Sequence, residues 1–313
     1  MAGAVHALAY LHYDVFTGAP LLGNPLAVFT GARGLDAALM QAVAREMNFS
    51  ESTFILPAEQ PGTGVRMRIF TPAGELPIAG HPVIGSTFAL AHAGVIPPGA
   101  ARFVFGLNLG PVPVDLEWDA GRVRFVWMTQ PNPVFRPPVA DRAAVAGALG
   151  LMAGDLAPDL PIQEVSCGVP YLLVPLRDAV TVDRAVCDAA AWGRLGARVG
   201  SDAPLFVFTL LDEGGIDTVH SRMFAPGFGI AEDPATGSAS GPLGCYLVER
   251  RLVSGDAASR IVSRQGVAMG RASRIHVAIA GGPGAIREVK VGGEAVLAGR
   301  GELFVNTPTA APA

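Results

Sequence analysis

The chain has 313 residues, 50% of them hydrophobic, with a net charge of −4 and Lys290 as its sole lysine. That length exceeds the size at which a single core keeps growing, so the chain reads as two lobes of roughly 150 residues each. The weak negative charge without basic clusters argues against nucleic acid. Gly, Pro and charged residues break every apolar stretch before the ~18 residues a membrane helix needs, so no membrane span is expected.

The opening segment, MAGAVHALAYLHYDVF, has no Lys or Arg before Arg33, so the positive region of a signal peptide is missing and a cytoplasmic location is expected. ALAYLHYDVF, PLAVFT, STFILPA and VRMRIF are strand-like, separated by Gly, Pro and Asn. Among them the spacing predicts a helix over 36–47, with Leu39, Val43 and Met47 on one face and Asp36 as its cap. A second helix is expected to follow His81, with Pro82 in its first turn. A β region spans Arg102 to Gln130 and contains the hairpin signal LEWDAGRVRFVW. Next come a helix over 141–149, strands in IQEVSCG and YLLVPL, a helix over 183–195, the strand PLFVFTLL and a helix near 238–251. The remainder, from RIVSRQGV to GELFV, reads as β.

Cys167, Cys187 and Cys245 are odd in number and show no CxxC spacing, so buried free thiols are expected rather than disulfides. The six histidines form no HExxH or HxH pair, and no metal site is implied. A solitary lysine in the strand-like REVKVGGEAV argues against a Schiff-base cofactor.

The chain also resembles itself. RIFTP at 68–72 matches RMFAP at 222–226, and each leads to a glycine-started helix, GHPVIGSTFAL from Gly80 and GSASGPLGCYL from Gly237, with three residues inserted in the second copy. This reads as a duplication. The expected lobes are 1–128, joined by a C-terminal strand near 295–308, and 129–294.

Two duplicated helix starts facing one cleft would suit an anion, because each offers unpaired N–H groups and about half a positive charge. His81 and Ser238 follow the two glycines, Asp233 lies in EDPATGSA, and Glu51 lies in NFSESTF where a helix yields to a strand. Each has an ordinary reading as well: a solvated Glu, a satisfied His, an N-cap Ser, and an Asp before Pro234 in a turn. Composition and spacing do not choose between these readings.

The segments DVFTGAPLLGNPLAVF (14–29), NFSESTF (48–54), GELPIAGHPVIGS (74–86), RMFAPGFGIAEDPATGSA (222–239) and QGVAMGRASRI (265–275) together resemble the signature blocks of the PhzF-like family. The resemblance runs over nearly the whole chain. It implies an α+β fold similar to diaminopimelate epimerase: two pseudo-symmetric lobes, each a β-barrel-like sheet around a central helix, with the active site between them. By motif position it implies Glu51 as the proton-transferring residue, with His81, Asp233 and Ser238 in the catalytic set. Gly80, His81, Gly237 and Ser238 would surround the substrate's carboxylate and reacting carbons.

The best-known member isomerises a dihydro-hydroxyanthranilate in phenazine biosynthesis without a cofactor. A cofactor-independent isomerase acting on a small carboxylate, and a homodimer, are therefore the expectations. Relatives on this fold that racemise with two opposed thiols would need cysteines at the helix starts, where this chain has His81 and Ser238. A metal-free lyase or dehydratase using the same proton abstraction, and a non-catalytic carboxylate-binding protein, stay open as alternatives.

Overall fold

The computed structural model describes residues 5–199, 201–211 and 217–306. Contacts divide the chain into two units, one of Met1–Leu21, Pro25–Met128 and Glu294–Ala313, the other of Leu22–Asn24 and Thr129–Gly293. No helix among the described residues is long and apolar enough to cross a membrane.

The elements of the first unit follow one another as β1 (Val5–Val15), β2 (Asn24–Phe29), α1 (Ala37–Met47), β3 (Glu51–Leu56), β4 (Val65–Phe70), β5 (Glu75–Leu76), α2 (Gly80–His92), β6 (Arg102–Leu107), β7 (Gly110–Asp119) and β8 (Arg122–Gln130), except that Asn24 of β2 and Thr129 and Gln130 of β8 belong to the second unit. Helix α1 is capped as expected, with Asp36 accepting a bond from the Leu39 N–H, but its buried face is centred on Met40, Val43 and Ala44, and Leu39 and Met47 of the expected stripe are only half-buried at its edges. That face meets Phe29, Phe54 and Phe70. Helix α2 differs, since every residue from Gly80 to Leu90 is buried, as expected of a helix that is apolar all round. It packs on β1 and β3. At Gly85 an added Cβ would stand 2.6 Å from Val15 Cγ2 and 2.7 Å from Leu26 Cδ2, so only glycine lets the helix sit this close to its sheet.

The second unit holds β9 (Val134–Pro138), α3 (Arg142–Ala148), β10 (Gln163–Ser166), β11 (Pro170–Pro175), α4 (Ala179–Arg184), α5 (Ala189–Val199), β12 (Leu205–Leu210), β13 (Val219–Ala225), β14 (Ile230–Asp233), α6 (Gly237–Glu249), β15 (Ile261–Gln265), β16 (Ser273–Gly282) and β17 (Ala285–Gly293). The last strand, β18 (Ala295–Asn306), returns to the first unit and pairs with β1 along its length, from Val5↔Asn306 to Val15↔Ala295. Helix α6 is almost wholly buried and packs on β10, β11, β16 and β17.

The pairing pattern occurs twice. In the first unit β2 runs parallel to β3 across α1, β3 is antiparallel to β4, β4 is antiparallel to β5, β4 runs parallel to β6 across α2, and β6 is antiparallel to β7. In the second unit β11, β12, β13, β14, β15 and β16 repeat these relationships in the same order, with α6 in the place of α2. Each unit is a sheet wrapped around one buried helix. The mixed α and β architecture inferred from the sequence is the one observed.

Three local expectations need correction. The helix expected over 183–195 is two helices, because Asp178 caps α4 through the Thr181 N–H, while Asp188 accepts from the Ala191 N–H at the start of α5. Ala185 between them is extended, and the Arg222 guanidinium takes the carbonyls of Val182, Asp183 and Ala185 that end α4. The second helix begins at Gly80, as the internal repeat implies, and so includes His81 in its first turn instead of following it. Finally, Cys167 and Cys245 are buried free thiols as expected, but Cys187 is only half-buried.

Candidate active site

In the first unit, α1 ends at Asn48, whose N–H still bonds the Ala44 carbonyl and whose left-handed backbone (φ 51°) turns the chain out of the helix. Asn tolerates that conformation better than most residues. The chain then turns, and Glu51 is the first residue of β3, opposite Leu26 on β2. Glu51 is 8% exposed and His81 4% exposed, and His81 Nε2 stands 3.4 Å from Glu51 Oε2. Two residues further along β3, Thr53 Oγ1 lies 2.9 Å from Ser86 Oγ on α2. This contact fastens the strand carrying Glu51 to the helix carrying His81.

Burial lowers the His81 pKa from 6.5 to about 3, so its imidazole is neutral at physiological pH. The contact with Glu51 is therefore one between a carboxyl group and a neutral ring, although its distance falls within ion-pair range. Desolvation decides this, because an imidazolium here would have almost no water. Ala79 at the N-cap of α2 supplies no side-chain bond to the helix start, and Pro82 in the first turn has no N–H.

The site residues of the second unit sit in a polar cluster. Asp233 ends β14 and is 5% exposed. Its Oδ1 accepts from Asn24 Nδ2 at 2.8 Å and its Oδ2 from Thr236 Oγ1 at 2.5 Å. Gly237 opens α6, and its carbonyl accepts from Gln130 Nε2 at 3.0 Å. Ser238 is not the N-cap, a position held by Thr236, whose side chain makes no capping bond. Ser238 Oγ lies 2.6 Å from the Tyr171 hydroxyl on β11.

The duplication extends into residues that sequence reasoning did not single out. Arg68 on β4 makes a two-pronged bond with Glu75 on β5 (2.8 and 2.6 Å), and Arg222 on β13 makes the same bond with Glu232 on β14 (2.8 and 2.8 Å). Each guanidinium also lies over a phenylalanine two residues on, Phe70 at 5.1 Å and Phe224 at 5.0 Å. In both copies the glutamate stands five residues before the helix-opening glycine, with a proline two residues after it: ELPIAG and EDPATG. Extending the RIFTP/RMFAP alignment across the inserted residues finds them. Tyr171 and Gln130 carry no comparable sequence signal.

The thiols stand apart from these groups. Cys245 lies two turns into α6 with its Sγ 3.8 Å from Cys167 Sγ. Contact with Cys167 and burial push the Cys245 thiol far above its ordinary pKa.

Residues 13–301 match the family described as phenazine biosynthesis-like protein, PhzC-PhzF. The chain belongs to this family. It is 38% identical over 302 residues to an uncharacterized isomerase of Mesorhizobium japonicum, covering 95% of this chain and 98% of that one. It is 34% identical over 302 residues to the trans-2,3-dihydro-3-hydroxyanthranilate isomerase of Pseudomonas aeruginosa, covering 95% and 99%. The crystal structure of a PhzF-family phenazine biosynthesis protein from Bacillus anthracis superposes with a TM-score of 0.86 at 26% identity, over 96% of this chain and all of the other. Both sequence relatives are named isomerases, and isomerase is the enzyme class of this chain.

Proposed function

We propose that the protein is a cofactor-independent isomerase that moves a proton between carbons of a small carboxylate-bearing metabolite, with Glu51 as the acid and base. The observation that carries this reading is the Glu51–His81 pair, a buried carboxyl group at a strand start held 3.4 Å from an imidazole that burial keeps neutral. A proton on carbon beside an unsaturated or carboxyl-bearing centre is weakly acidic. Its removal needs a positioned base and stabilisation of the charge that develops; general acid–base catalysis contributes about 100- to 10,000-fold. Glu51 takes the proton from one carbon and returns it to another. His81, being neutral, adds no positive charge that would trap Glu51 in a tight ion pair. Gly80, Gly237 and Ser238 contact the substrate, backbone N–H groups at the helix starts donate to its carboxylate, and Asp233 braces the segment before Ser238.

The compound in the name of the Pseudomonas relative, trans-2,3-dihydro-3-hydroxyanthranilate, is the first substrate to test, with other cyclic and acyclic carboxylates beside it. A homodimer in the cytoplasm completes the proposal; family membership supports it and sedimentation tests the dimer. The deciding experiment incubates the enzyme with each carboxylate in heavy water and measures deuterium uptake into carbon. Glu51→Gln, which keeps the shape but cannot accept the proton, should reduce uptake to a few per cent of wild type or less while the protein stays folded. Undiminished uptake in that variant would remove Glu51 as the base. Tight carboxylate binding without uptake from any compound would instead indicate a binding protein, and release of water from the substrate a dehydratase.

A further inference from the structure

The segment entering α6, Asp233–Thr236, is buried throughout, and its last three residues belong to no regular element. Buried backbone outside helices and sheets must find hydrogen-bond partners elsewhere. Here each of the four residues is tied by a side chain from a distant part of the sequence. Gln265 Nε2 donates to the Asp233 carbonyl at 2.7 Å, Ser273 Oγ to the Pro234 carbonyl at 3.1 Å, and Asn24 Nδ2 to the Ala235 carbonyl at 2.9 Å. The Thr236 N–H donates to Gln265 Oε1 at 3.0 Å. Asn24 and Gln265 are 0% exposed and Ser273 2%.

The same side chains also fix the two polar side chains of the segment. Thr236 Oγ1 donates to Asp233 Oδ2 and accepts from Gln265 Nε2 at 3.0 Å, while Asn24 Nδ2 reaches Asp233 Oδ1. Threonine at an N-cap ordinarily turns its hydroxyl onto its own helix. Thr236 does not, because Asp233 and Gln265 hold that hydroxyl. The harness is itself braced: Arg271, between Gln265 and Ser273 in sequence, donates to the carbonyls of Gly23 (2.7 Å) and Leu22 (2.9 Å), next to Asn24.

We propose that Asn24, Gln265 and Ser273 are positioning residues for the isomerisation, acting through Asp233–Thr236 to set where Ser238 stands. The proposal rests on the reading that Ser238 contacts the substrate. It also explains the QGVAMGRAS block, whose two ends, Gln265 and Ser273, grip one loop. Three buried polar side chains determine the path of every residue in it, and a connected network of buried hydrogen bonds of this kind favours one geometry.

Two readouts on Gln265→Leu, with Ser273→Ala as the milder variant, test this. The first needs no ligand. Backbone amide exchange at Gly237–Ser240, followed by mass spectrometry, should accelerate about tenfold or more in Gln265→Leu and less in Ser273→Ala, since the Asp233–Thr236 segment loses three bonds in the first and one in the second. Exchange in β12 should stay unchanged. The second uses the carboxylate that shows Glu51-dependent deuterium uptake in the wild type. A displaced Ser238 raises KM about tenfold, with kcat within about threefold. Loss of folded protein would lower apparent kcat and leave KM where it was. Unchanged amide exchange, or faster exchange with wild-type KM, overturns the proposal. If no carboxylate gives uptake in the wild type, the isomerase reading fails, while the amide result still decides whether Gln265 governs the start of α6.

Discussion

His81 Nε2 stands 3.4 Å from Glu51 Oε2, in surroundings that hold the histidine pKa at about 3. An unfolded histidine titrates near ~6.5, so below that pH the unfolded chain binds a proton that the folded protein refuses. The neutral His81 therefore costs no stability above pH ~6.5, and about 1.4 kcal/mol is lost for each pH unit below it until the folded pKa is reached. His81→Asn removes this term. Urea unfolding at pH 7, 6 and 5 should show the variant losing about 1 kcal/mol less than wild type between pH 6 and 5. Parallel pH slopes for the two proteins would mean that the folded histidine accepts its proton normally.

The thiols make a contrasting case. Cys245 is fully buried and its neighbour Cys167 nearly so, while Cys187 is half-buried and its thiol is pushed up by burial and by the adjacent Asp188. The thiolate is the reactive form, so native protein treated briefly with iodoacetamide at pH 7 should be alkylated slowly, at Cys187 first. Peptide mapping checks the order. Deuterium uptake by the Cys187-alkylated protein should match that of untreated enzyme. A folded Cys167→Ala/Cys187→Ala/Cys245→Ala variant that binds substrate but exchanges no proton would point to thiol chemistry instead.

Much of the fold is legible because its signals are local. Asp36 caps α1 as its position suggests, and the turn in LEWDAGRVRFVW is a tight hairpin with Ala120 and Gly121 both at positive φ. RIFTP and RMFAP lie at the ends of corresponding strands, β4 and β13, so the weak identity between them marks a repeat of connectivity. The division near 183–195 is not local. Asp183 looks like a helix start, yet the break depends on Arg222, about 40 residues away, collecting the carbonyls of α4. The candidate site is similar: motif position brings Glu51 and His81 to notice, but their 3.4 Å approach depends on how α2 lies against β3. Gln265 is visible in the sequence only as part of a block, since its three bonds all go to a segment about 30 residues earlier.

The two arginine–glutamate pairs are alike in geometry but not in burial, and their removal should differ. Side-chain exposures are 9% and 17% for Arg222 and Glu232, against 21% and 24% for Arg68 and Glu75. Arg222 also satisfies three backbone carbonyls. Arg222→Leu leaves a largely buried carboxylate and three carbonyls without their donor, at a cost of about 3–5 kcal/mol. Arg68→Leu should cost about 1–2 kcal/mol, because water reaches the remaining glutamate more easily. Chemical denaturation of both variants measures the difference. Equal losses would show that the carbonyl contacts of Arg222 contribute nothing.

The QGVAMGRAS block contains two glycines with left-handed backbones, Gly266 at φ 75° and Gly270 at φ 68°, and only one is confined. A Cβ on Gly266 would run into the backbone carbonyl oxygens of Arg271 and Pro234, whereas on Gly270 it would meet nothing within 4 Å. Gly270→Ala therefore costs only the left-handed conformation, about 1 kcal/mol, and Gly270→Asn less, since Asn tolerates that conformation. Gly266→Ala carries the same conformational cost and must also push apart two backbone segments, one of them the Asp233–Thr236 loop. The cores of proteins yield little to such overlap, so the total should be about 3 kcal/mol or more. Asn at 266 should bring no relief, because the obstacle there is contact as well as φ. Urea midpoints for the four variants, Ala and Asn at each glycine, separate the two causes. If Asn rescued position 266 as well as it does 270, the close approach of Gly266 to Pro234 and Arg271 would not be what requires glycine there.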